Sequence, residues 1–199
     1  MRTVTVTGQG EARVAPDSAV VRVSAVHRAA GVAEALTGAD SAVDAITTAA
    51  RQFTTPERVG TTSLQIWPDH DQSGRPAGFQ ARHSLVIRCP DIEAAGGLLT
   101  ALAAAVGDRL EVEGVSLEVD DQTAATAAAR EAAYADAVDR ATHLASLAGA
   151  TLGDVQEVTE GGGVGGGPVR ALKAMSDSAS FQPGETSIGS SVTVTFQLR

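Results

Sequence analysis

The chain has 199 residues, 43% of them apolar and only 3% aromatic, with a net charge of −9 and a pI near 4.8. That length suits one domain, or two small ones, and a core of Val, Leu, Ile and Ala that needs no disulfide or metal staple. The acidic balance, with Lys173 the only lysine, argues against a nucleic-acid partner, and the lone Cys89 excludes an internal disulfide.

"RTVTVT" alternates, with Val4 and Val6 on one face and Thr3, Thr5 and Thr7 on the other, which predicts a half-buried first strand. "GQGEARVAPD" reads as its break. "SAVVRVSAVHR" predicts a second strand with Ala19, Val21, Val23 and Ala25 inward. Leu36, Ala39, Val43, Ile46, Ala50 and Phe53 recur at steps of three and four, the stripe of an amphipathic helix. "SLQIWP" is a strand with Leu64 and Ile66 together, followed by the turn "PDHDQSGRPAG". The next strand puts Phe79, Ala81, His83, Leu85, Ile87 and Cys89 on one face and Gln80, Arg82, Ser84 and Arg88 on the other.

Asp91 is placed to cap a second helix with the stripe Ile92, Ala95, Leu99, Leu102 and Val106, ended by Gly107. "VEGVSLEV" follows as a strand. A long helix is expected from about Asp121 to Ala148, with a stripe of Tyr134, Val138, Ala141, Ala145 and Ala148 and an exposed Asp136–Arg140 pair. "TLGDVQEVTE" and "SIGSSVTVTFQLR" are the last two strands. The order ββαββαβαββ contains a ferredoxin-like βαββαβ and predicts an α+β fold, mostly antiparallel, with helices on one sheet face. A single domain over 1–199 is expected, with a flexible Gly-rich loop at about 161–185.

Little in the chain resembles a catalytic constellation. The glycine run at 161–167 lacks the Gly-Lys-Ser/Thr that a phosphate-binding loop requires. "GQGEAR" has Arg13 where a dinucleotide fingerprint needs its third glycine, and a strand follows it. Asp69, His70 and Asp71 are metal-ligand types, but three neighbours in a turn rarely converge, so a solvated hairpin tip is expected. His83 reads as a hydrogen-bonded core histidine, His27 and His143 as surface residues, and Cys89 as a buried, inert thiol. Asp120 and Asp121 suit the start of a helix. No cofactor or metal is expected. The residues chosen as candidate ligand or interface positions are Trp67 and Phe79, beside a possible cleft, and Val169, Leu172 and Met175, which could dock on a partner subunit.

Five segments together resemble the SIMPL domain family: "VTVTGQGEARVAPDSAVVRV", "VGTTSLQIWPD", "GFQARHSLVI", "AREAAYADAVDRATHLASLAGATLGDVQEVTE" and "FQPGETSIGSSVTVTFQL". Phe79 stands where the family usually has Tyr. The resemblance implies a bacterial protein of poorly defined biochemistry. Its relatives are mostly periplasmic or surface proteins, some linked to oxidative stress or immunogenicity. One animal relative is associated with kinase signalling, and some relatives form large oligomers. It brings no catalytic residues to carry over.

The expectation is a non-enzymatic structural or interaction protein that self-associates through strand edges, without nucleic acid or a membrane span. The first and last strands could instead pair within one chain. The alternatives are a small-ligand binder and an enzyme with an unrecognised site around Cys89 or His83. The opening "MRTVTVT" has no apolar run fit for a signal peptide, so a cytoplasmic location is expected as the sequence stands, and export if the sequence is a trimmed one.

Overall fold

Among the described residues, seven alternating segments form strands and three periodic ones form α-helices, in the predicted order. The structure, a computed structural model, describes residues 2–71, 73–161 and 184–199. The elements are β1 (Thr3–Val14), β2 (Ser18–Ala29), α1 (Val32–Ala50), β3 (Val59–His70), β4 (Pro76–Cys89), α2 (Ile92–Val106), β5 (Leu110–Glu118), α3 (Thr123–Leu147), β6 (Leu152–Gly161) and β7 (Thr186–Leu198). The fold is α+β and its strands divide into two antiparallel sheets, each in its own compact unit. Among the described residues no helix is long and apolar enough to cross a membrane. The Gly-rich loop, with Val169, Leu172 and Met175, lies outside the described residues apart from Gly161, Gly184 and Glu185.

The larger unit holds β2 to β5 with α1 and α2, and its strand order β3-β4-β2-β5 is the ferredoxin-like one. Its core gathers Val21 and Val23 of β2, Leu85 and Ile87 of β4, Ile46 of α1 and Leu98 and Leu102 of α2. Both helices therefore pack on one face, as right-handed crossovers require. Asp91 caps α2 as expected, accepting the Ala94 N–H at 2.7 Å, and Gly107 ends it at φ +62°. Buried Leu98 takes the place predicted for Leu99, which is only partly buried.

The smaller unit holds β1, α3, β6 and β7, with sheet order β1-β7-β6. The first and last strands thus pair within the chain, from Thr3 opposite Gln197 to Val14 opposite Thr186. β1 runs straight through "GQGEARV", where its glycines predict a break. The reason is close packing. A Cβ on Gly8 would lie 2.1 Å from the Ala133 carbonyl oxygen, and one on Gly10 equally near that of Ala129. The facing stripe of α3 is Ala125, Ala129, Ala133, Ala137, Ala141 and Ala145; it shares Ala141 and Ala145 with the predicted stripe, Val138 packs partly buried beside it, and Tyr134 and Ala148 lie outside it. Small residues four apart let helix and strand backbones touch. Tyr134 is left 39% exposed on the flank.

Candidate functional site

The side chains with reactive chemistry sit mostly in the larger unit. Alternation along β4 puts His83 on the helix-covered face, one rung from Leu85 and Ala81. Its Nε2 lies 3.0 Å from the Thr61 hydroxyl of β3, and its Nδ1 lies 3.5 Å from Asp40 Oδ1 of α1. The side chain is 15% exposed, and buried Nδ1 has no hydrogen-bond partner. Carboxylate, imidazole and hydroxyl stand in sequence, but the Asp40 link is longer than a hydrogen bond. The one firm contact is Thr61 to His83, which ties the edge strand β3 to β4.

Cys89 is fully buried at the end of β4. Burial, and next the negative charge of Asp91, push its thiol up to about 11, so it stays protonated near neutral pH. The nearby N-terminus of α2 cannot activate it, because the Asp91 carboxylate already occupies that end.

Trp67 and Phe79 do not share a cleft. Trp67 is paired with Gln80 and Phe79 with Pro68, so their side chains leave opposite faces of the β3–β4 ladder. Phe79 packs with Ala29, Ala35, Ala39 and Ala81 beneath α1, while Trp67 is half-buried on the other face. His27, expected at the surface, is half-buried under α1; a Cβ on Gly38 would lie 2.0 Å from its ring. His143 is exposed as predicted.

The Asp69–Asp71 turn is held by its own carboxylates. Asp71 Oδ1 accepts the N–H groups of Ser73 at 2.8 Å and Arg75 at 2.9 Å, and Asp69 pairs with Arg28 at 3.2 Å. Among the described residues no group of three His, Cys, Asp or Glu could hold a metal ion.

The sheet face away from the helices carries a polar network that the sequence reading did not assemble. Ser24 of β2 is fully buried there, 2.7 Å from the Ser84 hydroxyl and bonded to Glu113. Arg82 pairs with Glu111 and Glu113, and Arg88 with Glu118. Its signal was the polar alternation of β2 and β4; the acidic partners on β5 became visible only with the strand order. These opposite charges are matched within one face, so the network satisfies itself.

The strand edges differ from one another. In the smaller unit, the Gln9 N–H of β1 donates to Asp136 Oδ2 at 2.8 Å, and Arg140 Nη1 donates to the Thr7 carbonyl at 3.1 Å. The Asp136–Arg140 pair therefore closes the outer edge of β1, rather than standing as a surface pair alone. β6 carries Asp154, Glu157 and Glu160 and shifts register twice. β5 carries Glu111, Glu113 and Glu118 and has a bulge opposite Arg22 and Val23. β3 has no charged residue from Val59 to Trp67. Leu64 is 47% and Ile66 36% exposed on it. Only Pro68 and Asp69, at its far end, resemble the usual edge guards.

A family model named SIMPL, described as a protein of unknown function (DUF541), matches residues 4–196. The chain is 26% identical over 216 residues to the 26 kDa periplasmic immunogenic protein of Brucella melitensis biotype 1, covering 98% of this chain and 84% of that protein. The protein of the same name from Brucella abortus strain S19 matches to the same extent. A crystal structure of an unknown protein from Galdieria sulphuraria is 13% identical and covers 90% of this chain and 82% of that one, but its TM-score of 0.26 carries no argument about the fold. The Brucella proteins correct the expected cytoplasmic location: similarity to periplasmic proteins along nearly the whole chain points to export.

Proposed function

The chain belongs to the SIMPL family, and from that premise we propose that it is an exported, non-enzymatic interaction protein that self-associates. The observation that carries this reading is where apolar surface is left open. Among the described residues, every large apolar side chain exposed on a strand lies on an edge strand: Leu64 and Ile66 on β3, Val112 on β5, Val155 and Val158 on β6. Edge strands with open apolar side chains are the surfaces through which sheets meet other chains.

The reactive-type residues support the same reading. Cys89 is buried and protonated, and the carboxylates of Asp71 and Asp91 are occupied by backbone N–H groups. A ligand cleft between Trp67 and Phe79 has little support, since the two leave opposite faces. The family similarity runs from residue 4 to 196, through both units, which supports treating 1–199 as one functional module. Sedimentation velocity of the full chain over a wide concentration range tests the reading. Association that grows with concentration is expected; a monomer throughout would overturn it. Fractionation of the cells that make the protein tests export, and recovery in the cytoplasm alone would overturn that part.

A further inference from the structure

Building on that self-association, we infer that the outer edge of β3 is the contact, and that it pairs antiparallel with β3 of a second copy about a two-fold axis near Leu64. The argument is one of contrast among the sheet edges. β1 is closed at Thr7 and Gln9 by Arg140 and Asp136. β5 and β6 carry three carboxylates each. A second copy of either acidic strand would bring like charges face to face, which is destabilising.

β3 carries no charged residue between Val59 and Trp67. Its backbone irregularity there is confined to Thr62. As the end strand of the order β3-β4-β2-β5, its outer backbone groups have no strand partner among the described residues and are open to a new strand.

A second copy suits this edge better than an unrelated strand for two reasons. Antiparallel pairing about a perpendicular two-fold keeps both sheet faces in register, so the two Leu64 side chains meet and Ile66 lies beside them. These are the two large apolar side chains β3 leaves open. Second, the same pairing brings Arg58, just before one β3, to the end of the other, where Asp69 and His70 stand. Arg58 and Asp69, held within their own copy by Asp120 and Arg28, then face each other with opposite signs, with Glu57 one residue away. The result is a continuous eight-stranded antiparallel sheet, four strands from each copy, with the two helix-covered faces on the same side.

The test uses the full chain and its Leu64→Lys variant, with circular dichroism and a thermal melt to establish that the variant is folded. A lysine at an exposed edge position leaves the core untouched but sets two charges together at the axis. Self-association at least tenfold weaker than in the parent chain is expected by sedimentation equilibrium. In a second variant, Leu64→Cys, oxidation should give a disulfide-linked dimer, with Cys89 buried and silent. If the parent chain associates and both variants leave association unchanged with no linked dimer, the β3 contact is overturned while self-association stands. If the parent chain is monomeric at every concentration, both fail. A monomer whose β3 amides are nonetheless protected from hydrogen exchange would place another segment of the same chain on this edge and overturn the dimer. Linkage of Leu64→Cys to unrelated proteins in preference to itself would overturn the second copy as the occupant.

Discussion

A side-chain carbon on Gly10 would lie 2.1 Å from the carbonyl oxygen of Ala129, so strand β1 and helix α3 meet backbone to backbone. Gly8 makes the same approach to Ala133. The "GQG" motif is therefore a packing device, and the alanines repeating every four residues along α3 are its other half.

Gly10→Ala should destabilise the smaller unit by about 3 kcal/mol, the upper end for overpacking, because the obstacle is backbone and cannot rotate aside. Ala133→Leu should cost a similar amount from the opposite side. Gln9→Ala, whose side chain lies on the exposed face between the two glycines, should be close to neutral. Urea unfolding followed by far-ultraviolet circular dichroism would measure all three. A Gly10→Ala protein as stable as its parent would contradict the contact.

Asp136 gives a pH dependence with a definite sign. The Gln9 N–H holds its carboxyl below the ordinary aspartate value of 3.8, with Arg140 adding in the same direction. A lowered folded value means that the contribution is complete above about pH 4 and fades as pH falls through the folded value. Asp136→Asn should lose that contribution at neutral pH, and its stability should approach the parent's in strong acid. Urea midpoints from pH 6 down to pH 2 would show the two curves converging. Curves that stay parallel would mean that the charge has no part in holding β1.

How far the sequence disclosed this can be judged from the same residues. Period-two alternation in β2 and β4 and period-3.6 stripes in α1 and α2 made the ferredoxin-like half legible, because Val, Leu and Ile mark the buried faces of β2, β4 and α2 and Ile46 that of α1, whose other buried residues are alanines. In β1 and α3 the logic is inverted: contact there selects the smallest residues. A reading that ranks positions by hydrophobicity therefore chose Tyr134 and Val138 over Ala133 and Ala137, and took Gly8 and Gly10 for a break. Alternation also says which face a strand buries, not which strand it joins, so the division into two sheets was hidden. The His83 environment was half legible: its inward rung follows from alternation, but Thr61 and Asp40 reach it only through the fold.

Cys89 offers a second pH test. Its folded value of about 11 lies above the ordinary thiol value of 9.0, so the unfolded chain loses this proton first. The contribution is complete below pH 9 and falls as pH rises toward 11. Cys89→Ala should remove that alkaline loss and cost about 1 to 2 kcal/mol at neutral pH through lost packing. The native thiol should react with a disulfide reagent only as fast as the protein opens. Rapid reaction below pH 8 without unfolding would show an accessible thiolate instead.

The last prediction separates the two contacts of His83. Thr61 lies at hydrogen-bond distance from Nε2, whereas Asp40 stands 3.5 Å from Nδ1 with its side chain more than half exposed. Thr61→Val keeps the shape of the side chain but removes the hydroxyl, leaving a largely buried ring nitrogen without a partner. That loss should cost about 1 to 2 kcal/mol. Asp40→Asn removes only an exposed charge beyond bonding distance and should stay within about 0.5 kcal/mol of the parent. The two midpoints under identical buffer decide which link matters. If Asp40→Asn proves the costlier change, the carboxylate is closely coupled to the imidazole, and the row Asp40–His83–Thr61 would have the orientation that an activated hydroxyl needs. With Thr61→Val the costlier, His83 serves to hold the β3 edge strand onto β4, consistent with its place beneath α1.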